Sequence, residues 1–209
     1  MFYKLIQRIR KWFADRKERR IEKLTARANQ LPDGKAIDLL ELQQKGLVRA
    51  KATGHSIEVI HAQVESLVRK RLLVLVSPGT YFVSSGSHQN MVTKRPHTFT
   101  LYPLDTTHFS VGAACINANL PIPGEKDMFY GVRKVSDDLV RFLEAAQGED
   151  SMTVQAGVWA ITDGFSAYQL QHHLYFADRY GNNRRQAIGN DNIAKAKQIL
   201  QKLSIRTNL

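Results

Sequence analysis

The chain has a single cysteine, Cys115, in 209 residues. No intrachain disulfide can form, so the fold must rest on its core and its hydrogen bonds. No stretch approaches the run of about 18 apolar residues that a membrane-spanning helix requires. The N-terminus is basic but lacks the continuous apolar stretch of a secretory signal. There is no Gly-x-Ser-x-Gly elbow, Walker loop, GxGxxG or HExxH, which removes the sequence support for nucleophilic, nucleotide-dependent and zinc chemistry. His172 and His173 are adjacent, and on a helix they point about 100° apart, so they cannot chelate as an i, i+4 pair. His88, His97 and His108 read as turn and surface residues. Asp127 and Asp163 are isolated acids, so a paired-carboxylate mechanism is unsupported as well. No metal or cofactor is expected, and a cytoplasmic, non-catalytic protein is the reading.

What the chain does have is positive charge. Lys and Arg number 30 against 19 acids, a net +11. Such an excess points to an anionic partner: a membrane surface, an acidic protein or a nucleic acid. Its placement narrows the choice. Residues 1–24 hold nine basic residues against three acids, a net +6.

Residues 1–30 contain neither glycine nor proline and read as one helix. Phe2, Leu5, Ile6, Ile9, Trp12 and Phe13 follow helical spacing and form one apolar stripe. Lys4, Arg8, Arg10 and Lys11 flank it. Past residue 13 the stripe stops, because Arg16 and Arg20 fall on the same face. An apolar, aromatic stripe with basic flanks suits a helix lying in an anionic membrane interface. The same stripe also suits packing on a partner or on the chain itself. A third reading joins Arg184, Arg185, Lys195, Lys197 and Lys202 to this helix as a phosphate-facing nucleic-acid surface.

LPDGK at 31–35 ends the helix, and residues 31–45 read as a linker segment. Residues 46–120 change character: GLVRAKA, SIEVIHAQV, LLVLV, TYFVS, HTFTLY and HFSVGAAC are short, β-branched and aromatic, with turn chemistry between them. This spacing predicts an Ig-like antiparallel β-sandwich. In residues 121–209 the helical period returns. Ser136 opens one helix, 151–164 forms a second, Ser166 and Gln169 make a capping box, and a terminal helix closes the chain. The expected architecture is therefore α+β, with a helical subdomain packed on the sandwich and a basic N-terminal helix.

One stretch resists a bland reading. TVQAGVWAITDG at 153–164 is apolar nearly all round, yet it carries Gln155, whose amide needs a partner. It also carries Gly157, which costs about 1 kcal/mol in a helix interior and implies close approach of another element. Ala114-Cys115-Ile116-Asn117 together with Val154-Gln155-Ala156-Gly157-Val158-Trp159 resembles the paired motifs of bacterial surface thioester domains. Those pair aromatic-Cys-apolar-polar with a downstream Thr-Gln-x-Ala-apolar-Trp. The resemblance implies a Cys115–Gln155 thioester, formed with loss of ammonia, that captures amines. Val154, Gly157 and Ala114 depart from the motif, so contact without reactivity is the expectation. The chain is thus read as a binding or assembly module held by its N-terminal helix, with thioester-like acyl transfer and nucleic-acid binding as alternatives.

Overall fold

The structure is a computed structural model and describes residues 2–177, 180 and 182–209. Met1, Asp178, Arg179 and Gly181 lie outside the described residues. Helix α1 (Phe2–Ala28) runs unbroken, as a stretch without glycine or proline allows. It stops before Pro32 and before Gly34, which adopts φ +68°, a left-handed conformation that glycine takes without steric cost. Lys70 closes the end, donating to the Leu31 carbonyl at 2.8 Å and pairing with Asp33 at 2.7 Å.

Strand β1 (Ile37–Asp38) and helix α2 (Leu39–Gln44) follow. Asp38 caps α2 by accepting from the Leu40 N–H at 2.9 Å. Leu39 and Leu42 are fully buried, so the stretch read as a linker contributes to the core. The strands then come in chain order: β2 (Val48–Gly54), β3 (Val59–Ser66), β4 (Leu72–Val76), β5 (Thr80–Ser84), β6 (Asn90–Thr93), β7 (His97–Leu101), β8 (Thr106–Ile116) and β9 (Met128–Lys134).

Six of these pair in the order β2-β3-β8-β6-β5-β9, and β9 returns to β2 to close an antiparallel barrel. The expected Ig-like sandwich is therefore incorrect. A sandwich keeps two sheets with free edges, whereas here all six strands pair on both sides, so no edge is left. The eleven-residue β8 pairs with β3 over 106–112 and with β6 over 113–116. Strand β9 pairs with β2 over 128–130 and mainly over 132–134 with β5. Barrel diameter grows with strand number, so six strands leave a narrow interior, and β2, β3 and β8 fill it with small side chains: Ala50, Ala52, Ala62 and Ala113 sit buried beside Ile60, Val64 and Val111. The alternation that suggested a sandwich is real; its closure comes from long-range pairing. A separate three-stranded sheet places the apolar β4 between β1 and β7.

The helical layer comprises α3 (Asp137–Ala145), α4 (Ser151–Thr162), α5 (Ala167–His173), the short hairpin β10 (Tyr175–Phe176) with β11 (Arg185–Gln186), and α6 (Asn190–Lys202). The Ser166–Gln169 capping box is present at the start of α5. Helix α4 is buried at every residue from 152 to 160. Met152, Ala156 and Trp159 pack into the core that includes the barrel interior, while Val154 and Val158 join Leu139, Phe142 and Leu200 of α3 and α6.

Gly157 explains how α3 comes so close. A Cβ at this position would lie 1.9 Å from Cζ of Phe142. The ring occupies the space of the missing side chain, so the close approach is made by a helix and not by a strand. Gly157→Ala would gain about 1 kcal/mol in helix propensity but overpack the site by about 1–3 kcal/mol or more. The expected outcome in urea denaturation is a net loss of stability. Adding Phe142→Leu should restore most of it; a Gly157→Ala variant as stable as the parent would refute this packing account.

Candidate functional site

The Cys115–Gln155 pair is the first of two candidate regions. In an antiparallel strand both backbone polar groups of one residue face the same edge. Strand β3 accompanies β8 only as far as Gly112, after which Ala113 N–H donates to the Glu58 carbonyl at 2.7 Å. Two residues on, Cys115 faces that edge with no strand beside it. Gln155 fills the place. Cys115 N–H donates to Gln155 Oε1 at 2.9 Å, and Gln155 Nε2 donates to the Cys115 carbonyl at 2.7 Å. The next edge group is served similarly: Ala118 N–H donates to Asp163 Oδ1 at 2.8 Å, and its carbonyl lies 2.8 Å from His173 Nε2.

The structure thus brings Cys115 and Gln155 together through the cysteine backbone. The thiol points elsewhere, with Sγ 3.2 Å from Sδ of Met91, its cross-strand partner on β6. Burial pushes the thiol pKa up to about 12, because a thiolate would be stranded in apolar surroundings. At neutral pH the nucleophilic form is therefore almost absent.

The second region is the N-terminal helix. Its rear is anchored. Ala28 is buried, Ile21 and Leu24 are half-buried, Thr25 Oγ1 accepts from Arg69 N–H at 2.9 Å, and Glu18 forms an ion pair with Arg69. That carboxylate holds the Arg69 guanidinium pKa above its usual value. The front is bare: Phe2, Leu5, Ile9, Trp12 and Phe13 are between 46 and 77 % exposed. At 100° per residue, the anchoring face of Glu18, Ile21, Leu24, Thr25 and Ala28 centres about 120° around the axis from the front stripe. The barrel that holds the rear cannot also cover the front. Lys4, Arg8, Arg10 and Lys11 remain at the stripe's flanks and back, Arg16 lies 5.3 Å over the Trp12 ring, and Arg20 continues the stripe's line toward the barrel.

Three of the C-terminal basic residues have local partners. Lys195 pairs with Glu149 at 2.5 Å, and Arg184 and Arg185 lie over the rings of Tyr175 and Phe176. His88, expected at the surface, is buried edge-on against Phe129, with Nδ1 3.5 Å from Asp127. Among the described residues no group of three His, Cys, Asp or Glu side chains could hold a metal ion, and no helix is long and apolar enough to cross a membrane.

Sequence reasoning missed a second amide of the same kind. Gln43 of α2 accepts from Val132 N–H and donates to the Val132 carbonyl, both at 3.0 Å. Its only local signal was a polar residue beside the apolar Leu39 and Leu42. No family model, curated protein or solved structure matches the chain.

Two measurements check the role of the first pair. Gln155→Leu strands two buried backbone groups, at about 1–3 kcal/mol each before relaxation, so chemical denaturation should show a loss of about 2–4 kcal/mol. A loss below about 1 kcal/mol would show that the amide is dispensable to the strand edge. A thiol reagent at pH 8 should leave the native protein unlabelled and modify one cysteine after unfolding in guanidinium. Rapid native labelling would contradict the buried, protonated thiol.

Proposed function

We propose that the chain is a non-catalytic binding or assembly module whose N-terminal helix attaches it to an anionic membrane surface. One observation carries this reading: the apolar front of α1 is exposed and turned away from the face that anchors the rear to the barrel. Residues 2–16 carry five basic residues and one acid, a net +4. They extend about 22 Å at 1.5 Å per residue. Such a helix buries its aromatic stripe at the level of the headgroups, and each nearby Lys or Arg adds about 1 kcal/mol on an anionic leaflet. An acidic protein partner would use the same face.

Acyl transfer through Cys115 and Gln155 is a second reading, favoured by their contact. It requires Sγ to attack the side-chain carbonyl carbon of Gln155, with ammonia leaving. In the fold Sγ rests on Met91, and both polar atoms of the amide are engaged by the Cys115 backbone. The membrane reading is therefore preferred. An intact mass lower than the sequence mass by one ammonia would reverse that preference.

Cosedimentation with vesicles tests the preferred reading. The protein should bind vesicles containing phosphatidylserine and release at high salt, with far weaker binding to neutral vesicles. Trp12→Glu should weaken binding more than Arg20→Glu, because apolar area sets insertion depth. Equal effects of the two substitutions would remove the interfacial-helix account. Salt-sensitive binding to DNA or RNA without vesicle binding would favour the nucleic-acid reading instead.

A further inference from the structure

We propose that the outer face of the barrel over β2, β3 and β8 is a binding site for the phosphate group of a small phosphorylated ligand. Period-two alternation turns Lys51 and Thr53 of β2, His61 and Gln63 of β3, and His108 and Ser110 of β8 to the same side. The strand register then sets them in two rows. Thr53 stands opposite His61, which stands opposite Ser110; Lys51 stands opposite Gln63, which stands opposite His108. Rows two residues apart are separated by about 7 Å and neighbouring strands by about 5 Å, so six polar side chains share a patch the size of one small ligand. They line a depression of about 430 Å³.

The chemistry of the patch selects an anion. An ammonium, a carboxamide, two hydroxyls and two imidazoles all supply donors. No acid is present among the described residues that line the depression, so a phosphate meets donors and one fixed positive charge without a competing carboxylate.

The His61–Ser110 contact makes those donors directional. Ser110 Oγ lies 2.8 Å from His61 Nδ1. If Nδ1 accepts the serine proton, Nε2–H is the donor left for a ligand. If Nδ1 carries the proton, it donates to Ser110 and frees the hydroxyl to point outward. Each tautomer leaves one donor for an oxyanion. The His55 ring packs 4.7 Å from that of His61 and holds it in place, while Glu125, 3.6 Å from His55, is engaged there outside the depression. None of these residues belongs to α1, so the site stands or falls independently of the membrane reading.

A chain with a net charge of +11 collects phosphate loosely over its surface, so the test must report location as well as affinity. The full-length protein, labelled with ¹⁵N, is titrated with inorganic phosphate at constant ionic strength. The expected result is saturable amide shift changes concentrated at 51–53, 61–63 and 108–110. Lys51→Gln and His61→Ala should each weaken the affinity about tenfold, the loss of one charge-assisted hydrogen bond, while Lys35→Gln, at an exposed lysine away from the depression, leaves it unchanged. His61→Gln, which keeps a donor, should lose less than His61→Ala. His61 is exposed and Lys51 half-buried on the outer face of the barrel, so each variant should melt with the parent. Non-saturable shifts spread over α1 and the C-terminal basic residues, or variants that bind as the parent does, would overturn the proposal.

Discussion

A primary amide presents one donor and one acceptor side by side, the same pair that a strand residue shows along its edge. The barrel depends on this equivalence at two places. Where β9 diverges from β2, Gln43 of α2 pairs with both backbone groups of Val132. Where β8 outruns β3, Gln155 of α4 does the same for Cys115. A six-stranded barrel whose strands bend between neighbours must leave such gaps. With the two amides in place Val132 and Cys115 are at most 2 % exposed, so bulk solvent does not serve these groups. Each unpaired buried group would cost about 1–3 kcal/mol, so the two amides make the closed barrel compatible with its own irregularity.

The helical layer is consequently part of the barrel. Gln155, Asp163 and His173 form a line along the free edge of β8 and just beyond it, supplied by α4, the end of α4 and α5. A helix that must present its amide to a strand is fixed in both height and rotation. The remaining faces of α4 are then committed to what surrounds them, with Trp159 toward the barrel core and Val158 toward α3 and α6. Gly157 follows from the same constraint, because a helix held this close to the barrel can admit α3 only where a side chain is missing.

The sequence made local features legible and long-range ones not. Helical period located α1, α3 and α4, and capping chemistry the Ser166–Gln169 box, since these depend on residues within a few positions of one another. Ser136 stands at the start of α3, but its side chain makes no capping bond. The odd pairing of Gln155 and Gly157 in an apolar helix correctly marked a polar demand and a close approach. Closure was invisible, because alternating strands such as Val48–Gly54 read alike in sandwiches and barrels. The excess of inward alanines was the one available hint. The outer row of Thr53, His61 and Ser110 was hidden for the same reason: it exists only once the register of three strands is set.

Helix α1 obeys a different logic from the rest of the chain. Every other helix is oriented by what it buries, whereas α1 is held only at its rear, through Ala28, Thr25 and the Glu18–Arg69 pair. Among the described residues, Glu18 is the one charged side chain of α1 in an ion pair. Removing the +4 of residues 2–16 from the total of +11 leaves +7 on the remainder, so charge alone does not single out the helix. What singles it out is the coincidence of charge with uncovered aromatic surface. Charge draws a protein toward an anionic surface over about a Debye length, but apolar area fixes where it stays. The body shares in the first effect, and the front of α1 is where both act on the same 15 residues.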